Sequence, residues 1–173
     1  MKLYRCRICG DPYLGSAPPT FCPFCGAPEK YMVPAEEYQD KNDVPNLTGR
    51  SRENLEKALQ LEIANAGFYF CASNCSPEPV SQAMFKALAK AESEHASLIC
   101  KLLKVAKPEI KPDEKACRKD PKANFAESHG RETRAVAFYK QAADEAVEDR
   151  VKEVFTALSE IESYHIALSE TRK

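Results

Sequence analysis

The sequence predicts a mainly α fold, a four-helix bundle preceded by a small module of short strands. Three observations carry this reading. Four cysteines lie within the first 25 residues, in two Cys-x-x-Cys pairs set among closely spaced Gly and Pro. Beyond residue 50, apolar residues recur at steps of three and four, the period of a buried helix face. The helical part also repeats itself, since adding 70 to a residue number in its first half finds a like residue in its second.

The first element is the module of residues 1–34. Gly10, Pro12, Gly15, Pro18, Pro19, Pro23, Gly26, Pro28 and Pro34 give it the composition of turns and short strands. Cys6-x-x-Cys9-Gly is followed by Cys22-Pro-x-Cys25-Gly, with twelve residues between Cys9 and Cys22. Two such knuckles facing each other close a tetrahedral cage of thiolates that suits one zinc or iron ion. Gly10 and Gly26 permit the turn that aims backbone amides at sulfur. The competing reading is a zinc ribbon whose ion merely holds a core too small to fold alone, because both metals accept the same four sulfurs. Residues 35–49 are polar and charged, with Pro45 and Gly49, and read as a linker. The module and the bundle, residues 50–173, are expected to have separate cores.

In the bundle, Leu55, Leu59, Glu62, Ala66 and Tyr69 form one inward stripe. Met84, Leu88, Ala91, His95, Leu98 and Leu102 form a second, and Val151, Phe155, Leu158, Glu162, His165 and Leu168 a third. Ser51 is a suitable N-cap for the first helix, and Asp120-Pro121 a cap and first-turn pair for the third. Pro77 and Pro79 separate the first two helices, a Pro-bearing stretch from 104 to 119 separates the second and third, and a weak break near 147–149 precedes the fourth. The repeat maps Glu62 onto Glu132, Tyr69 onto Tyr139, Phe85 onto Phe155, Glu92 onto Glu162 and His95 onto His165 without a slip of register. Two like hairpins joined by a long crossover make a four-helix bundle of the ferritin-like type.

The repeated polar residues lie on or beside the apolar stripes. Glu92-x-x-His95 and Glu162-x-x-His165 each set a carboxylate and an imidazole one turn apart on a helix face. Glu62 and Glu132 are single carboxylates on the other two helices. Buried carboxylates repel one another and are costly without partners. Two divalent cations balance four of them, and one Glu from each of two helices plus Glu-x-x-His from the other two is a two-metal ligand set. A lone Glu-x-x-His is ordinarily a solvated surface pair, but here two of only three histidines recur at equivalent positions. Tyr69 and Tyr139, seven residues after Glu62 and Glu132, share their faces and could donate hydrogen bonds to ligand carboxylates. His129 is expected to be a partly exposed helix residue. Cys71, Cys75, Cys100 and Cys117 have no metal spacing with the first four and read as buried small side chains; a redox role for Cys71 and Cys75 is the weaker alternative.

Bulk properties narrow the class further. Lys and Arg number 25 against 26 Asp and Glu, which gives no reason to expect nucleic acid or an anionic membrane as partner. No apolar run approaches the ~20 residues of a membrane helix. Met1 leads straight into the cysteine motif, so no signal peptide is expected, a cytoplasmic location follows, and the eight cysteines are expected as reduced thiols or metal ligands rather than disulfides.

Taken together, Tyr4-x-Cys6-x-x-Cys9-Gly and Pro19-x-x-Cys22-Pro-x-Cys25-Gly-Ala-Pro resemble the rubredoxin-like domain of the rubrerythrins. Glu62, Glu92-x-x-His95, Glu132 and Glu162-x-x-His165 resemble their ferritin-like diiron domain. The cysteine module comes first, which is most similar to the reverse rubrerythrins. That resemblance implies iron at both sites and an oxidoreductase that reduces hydrogen peroxide or dioxygen to water. Electrons would come indirectly from NAD(P)H, through a rubredoxin or a reductase, and enter at the four-cysteine iron. It also implies a homodimer in which the cysteine module of one subunit lies near the diiron site of the other, its own being far away. In that case the catalytic residues are Glu62, Glu92, His95, Glu132, Glu162, His165, Tyr69 and Tyr139. Two departures stand out. Ala135 occupies the place where such proteins carry a further ligand glutamate, one turn after Glu132. Asp11-Pro12-Tyr13 follows Gly10 where an aromatic residue usually follows directly. The first weakens the expectation of peroxidase activity more than that of metal binding. Two other readings compete: an iron-handling ferroxidase using the same six ligands, and a metal-stabilised interaction protein without enzymatic activity.

Overall fold

The computed structural model describes residues 1–172. Three short strands, β1 (Lys2–Cys6), β2 (Pro12–Gly15) and β3 (Met32–Pro34), form an antiparallel sheet in the order β2-β1-β3. Four long helices follow: α1 (Gly49–Cys75), α2 (Pro79–Leu103), α3 (Pro121–Glu145) and α4 (Asp149–Glu170). α1 packs most extensively on α2, and α3 on α4. The two hairpins meet through α1 against α3 and α2 against α4.

Helix boundaries follow local chemistry. Asp120 caps α3, its carboxylate accepting the Lys122 amide at 3.0 Å, with Pro121 in the first turn. Pro79 likewise occupies the first turn of α2, there without a side-chain cap. The N-cap of α1 is Thr48 rather than Ser51, because the Thr48 hydroxyl accepts the Ser51 amide. Ser51 is instead buried and donates to Glu148 at the start of α4. The inward stripes are buried as their periods predict, except that Met84 and Ala91 of α2 are only half-buried and Leu168 is 37% exposed near the end of α4.

Gly10 and Gly26 take positive φ, +90° and +77°, which a side chain disfavours. Each donates its amide to the first cysteine of its knuckle, Gly10 to the Cys6 carbonyl and Gly26 to the Cys22 carbonyl, both at 2.9 Å. The Asp11 amide then points at the Cys9 sulfur at 3.5 Å. All four sulfur-bearing residues are buried.

The expectation of separate cores does not hold. One continuous apolar cluster runs from Tyr4, Ile8 and the four cysteines through Leu55, Leu98 and Leu102 to Phe155 and Ile161. Polar ties reinforce it. Arg150 of α4, almost fully buried, donates to the Ile8 carbonyl at 2.8 Å and to the Asn42 side chain. Lys101 of α2 donates to the Cys9 carbonyl at 3.1 Å, and Lys30 pairs with Glu160 at 2.7 Å. The small module is thus seated on the bundle, its burial shared with α2 and α4. No helix among the described residues is long and apolar enough to cross a membrane.

Candidate metal centres

The four helices bring Glu62, Glu92, His95, Glu132, Glu162 and His165 together in the middle of the bundle. They fall into two overlapping sets whose donor atoms lie within 4.8 Å of one another: Glu62, Glu92, His95 and Glu162, and Glu92, Glu132, Glu162 and His165. Glu92 and Glu162 belong to both sets. The pseudo-symmetry of the sequence repeat therefore becomes a pseudo-symmetric site, with Glu62 and His95 on one side and Glu132 and His165 on the other. The four carboxylates are fully buried.

Each imidazole turns Nδ1 inward. His95 Nδ1 lies 3.1, 3.3 and 3.4 Å from oxygens of Glu92, Glu162 and Glu62. His165 Nδ1 lies 2.7 and 3.2 Å from oxygens of Glu162 and Glu92. The opposite nitrogen of His95, Nε2, lies 2.8 Å from the Cys25 carbonyl. A carbonyl only accepts, so Nε2 keeps its proton in either charge state, and Nδ1 is the nitrogen whose proton a metal among the carboxylates would displace. The peptide of the second cysteine knuckle therefore sets the tautomer that a metal requires.

The tyrosines act across the bundle. Tyr69 of α1 donates to Glu132 of α3, and Tyr139 of α3 donates to Glu62 of α1. Tyr69 also contacts the Ser128 hydroxyl at 2.7 Å. Each phenol holds the carboxylate of the opposite helix, not the one seven residues before it. Ala135, on the same face of α3, is fully buried and brings no donor.

Electrostatics show what this cluster lacks. Burial and then the Glu92 charge push Glu62 and Glu132 well above the usual carboxylate range. Burial opposes protonation of His95 and His165, yet the surrounding carboxylates pull both well above the ordinary imidazole value. One oxygen each of Glu62, Glu92 and Glu132, both of Glu162, and His165 Nδ1 are buried without a hydrogen-bond partner. So many orphaned buried acceptors in one place demand cations. Four carboxylates and two imidazoles are a donor set that divalent iron accepts. The residues present therefore fit a two-metal site.

The second cluster is the cage of Cys6, Cys9, Cys22 and Cys25, whose sulfurs also lie within 4.8 Å of one another. Cys6 and Cys25 are 3.7 Å apart, Cys9 and Cys22 3.8 Å. Four thiols so close share protons unequally: contacts with the other three sulfurs drive Cys22 far down, whereas contacts led by Cys22 raise Cys9 and Cys25. The sulfurs suit one thiophilic ion, and both clusters are compatible with iron centres.

The two clusters are neighbours within one chain. Besides the Cys25–His95 contact, a methyl placed on Gly26 would come within 3.9 Å of His165 Nε2. The expectation that the cage lies far from its own carboxylate cluster is overturned. His165 also lines two surface clefts, one beside Phe24 and Met84, the other beside Phe21 and Tyr164. His129 is apart from the site, pairing with Glu170 at 3.2 Å. Cys100 is buried, as its composition suggests. Cys71 and Cys117, expected as reduced small side chains, are joined in a disulfide, a pairing invisible in their spacing because Cys117 lies on the crossover.

Comparison with known proteins agrees with this geometry. Residues 53–170, which include every carboxylate and imidazole of the site, match the family model described as Rubrerythrin. The chain is 28% identical over 113 residues to Reverse rubrerythrin-1 of Clostridium acetobutylicum, covering 60% of this chain and 62% of that protein, less than two thirds of its length. No solved structure matches. A helical repeat that converges on four carboxylates and two imidazoles, a four-cysteine cage ahead of it and a family match spanning the bundle leave one conclusion: the chain belongs to the rubrerythrin family and is reverse-rubrerythrin-like.

Proposed function

We propose that this protein reduces hydrogen peroxide, or dioxygen, to water at a diiron site held by Glu62, Glu92, His95, Glu132, Glu162 and His165. One iron held by Cys6, Cys9, Cys22 and Cys25 would pass electrons to that site. The observation that carries this reading is the 2.8 Å contact between the Cys25 carbonyl and His95 Nε2. It joins a residue of one cluster to a residue of the other through a single hydrogen bond.

Bound between the helices, two iron ions supply the pair of electrons that splits a peroxide O–O bond. The chain's own residues do the rest. Glu92 and Glu162, which belong to both ligand sets, would contribute to holding both ions. Glu62 and His95 complete one side, Glu132 and His165 the other. Tyr139 and Tyr69 keep Glu62 and Glu132 in register, and their buried hydroxyls are the nearest neutral proton donors to those carboxylates. Each peroxide needs two electrons and two protons to become two waters. His165, at the foot of two clefts, marks the approach for a small oxidant.

The electron route supported here is internal, from the Cys25 sulfur through its own backbone and carbonyl to His95. A homodimer is not needed to bring the clusters together. An external donor, a rubredoxin or a reductase fed by NAD(P)H, would deliver electrons one at a time to the cysteine iron. An iron-handling role needs no incoming electrons, and a cage seated against a site ligand would then serve no purpose.

Rapid mixing of the fully reduced, iron-loaded protein with peroxide tests this. The reading expects oxidation of the diferrous site within seconds and repeated turnover from a reduced donor only while the cysteine cage holds iron. If peroxide leaves the site reduced while ferrous iron is oxidised catalytically in air, the iron-handling role replaces it.

A further inference from the structure

The bundle carries a third sulfur cluster that the metal chemistry above leaves unused. Cys71 and Cys75 lie one turn apart on the same face near the end of α1, and Cys117 lies on the crossover between α2 and α3. Cys71 is bonded to Cys117. The free Cys75 thiol lies 3.2 Å from the Cys117 sulfur and donates to the Arg118 carbonyl at 2.9 Å. Cys71 is buried, whereas Cys75 and Cys117 are partly exposed. All three border a surface cleft of about 370 Å³, together with Pro112, Arg118 and Lys119.

We propose that these sulfurs form a thiol–disulfide exchange site, in which Cys117 moves its bond between Cys71 and Cys75 and the cleft admits a small anionic thiol. In the exchange, Cys75 gives its proton to solvent and its sulfur attacks the Cys117 sulfur. The Cys75–Cys117 bond forms as the Cys71–Cys117 bond breaks, and Cys71 leaves as a thiolate that takes up a proton. Electrons are conserved, so this step needs no oxidant. Full reduction to three thiols takes two electrons and two protons from two molecules of the small thiol, which leave joined as their disulfide.

Three observations support this. Both partners on α1 reach Cys117 without moving the helix, since one is bonded to it and the other already touches it. The two rings closed by the alternative bonds span 46 and 42 residues, so loop-closure entropy barely distinguishes them. The crossover is anchored independently of sulfur. The Asp113 amide donates to the Gly67 carbonyl at 3.0 Å, and the Lys111 carbonyl lies 3.0 Å from where a methyl on Gly67 would sit. The loop therefore stays docked while the bond migrates. Exchange has a consequence for access: it replaces a bridge with one buried cysteine by a bridge between two partly exposed ones. Arg118 and Lys119 against the single Glu114 favour an anionic visitor.

The test uses the full metal-loaded chain in reduced and oxidised glutathione, quenched with acid, alkylated and mapped by peptide mass. Wild type should show both Cys71–Cys117 and Cys75–Cys117 bridges, in a ratio independent of total glutathione. Cys71→Ser should form the Cys75–Cys117 bridge in the same buffer. Cys75→Ser should be reduced by glutathione about tenfold more slowly than wild type, because attack must then go directly to the less open bridge. Helicity and iron content, unchanged in both variants, show that each is folded. The proposal needs both variant results. A Cys71→Ser chain without a bridge overturns it, as does a Cys75→Ser chain reduced at the wild-type rate. Protection of the three reduced thiols from alkylation until a chelator is added also overturns it, in favour of a metal site.

Discussion

Replacing Tyr139 by Phe removes one hydroxyl and little volume from a fully buried position. That hydroxyl is the only hydrogen-bond donor to Glu62 Oε1 among the described residues, while Glu62 Oε2 faces His95 Nδ1 at 3.4 Å and has no hydrogen-bond partner. A hydrogen bond to a charged acceptor contributes roughly 1.5–3 kcal/mol, and an acceptor orphaned in the interior costs about as much. At ~1.4 kcal/mol per decade, Tyr139→Phe should weaken metal binding on the Glu62–His95 side by roughly 10–100-fold, the range seen when a ligand's supporting hydrogen bond is lost. Tyr69→Phe should cost at least as much, because it strips a partner from both Glu132 and Ser128. The two phenols serve opposite ends of the site, so their effects should add. Competition titration against a chelator of known affinity, with cobalt(II) as a spectroscopic stand-in, measures this directly. A Tyr139→Phe protein that binds metal within twofold of wild type would show that the phenol merely fills space and would refute the account of ligand orientation.

Other perturbations follow from the same structure. Elemental analysis of iron-reconstituted protein should find metal in two places, with a pair of ions whose anomalous signals lie between the helices and one ion in the cysteine cage. Removing the helix-bound ions with a chelator should lower the melting temperature, since ions present at ~1,000 times their dissociation constant stabilise by about 4 kcal/mol per site. Arg150→Met should destabilise by about 2–4 kcal/mol in urea, because Asn42 and the Ile8 carbonyl lose a buried charged donor, and should loosen the cage from α4. Glu153 gives a pH dependence. Burial opposes its ionisation, yet hydrogen bonds and charge from Arg150 and Arg7 hold its carboxyl below the ordinary 4.5. Its stabilisation is therefore complete above that value and lost as pH falls through the folded value. Glu153→Gln should remove that part of the acid-induced drop in urea midpoint.

The sequence made the bundle and its inward-facing polar residues legible because a metal ligand must be both polar and on the apolar stripe, and the repeat displays that conflict twice. Glu62, Glu92, His95, Glu132, Glu162 and His165 meet as the periodicity places them. Periodicity says nothing about which hairpin lies opposite which, so it puts the tyrosines on the right faces as donors to ligand carboxylates without showing which carboxylate each one holds. Nor does it reveal where a module docks. The linker's polarity suggested independence, while the decisive contacts come from dispersed residues, Lys101, Arg150, Ile161 and the Cys25 carbonyl, none marked by a local pattern. Cys117 was opaque for the same reason, since a disulfide joins positions that only the path of the crossover brings together. Ser51 and Thr48 show the limit at a helix end: both are good caps, and Glu148, far along the chain, claims the Ser51 hydroxyl.

Ala135 bears on redox poise through a count of charge. Four buried carboxylates carry four negative charges, and the imidazoles are neutral once Nδ1 faces metal, so two divalent ions leave the site balanced. Removing one electron from each ion would leave it two positive charges in excess among fully buried carboxylates, where charge is poorly screened. A further glutamate one turn after Glu132 would offset one of those charges. Ala135 instead fills its place with a methyl group at full burial. Two iron ions bound here would therefore be held more tightly in the reduced than in the oxidised state, relative to the same site with a fifth carboxylate. On the proposed electron route, a reduced site so favoured would draw electrons readily from the cysteine cage and surrender them with less driving force. On this argument Ala135→Glu should lower the potential of the site and quicken its oxidation by peroxide. A variant with an unchanged potential would mean that the added acid stays protonated or turns away from the metals.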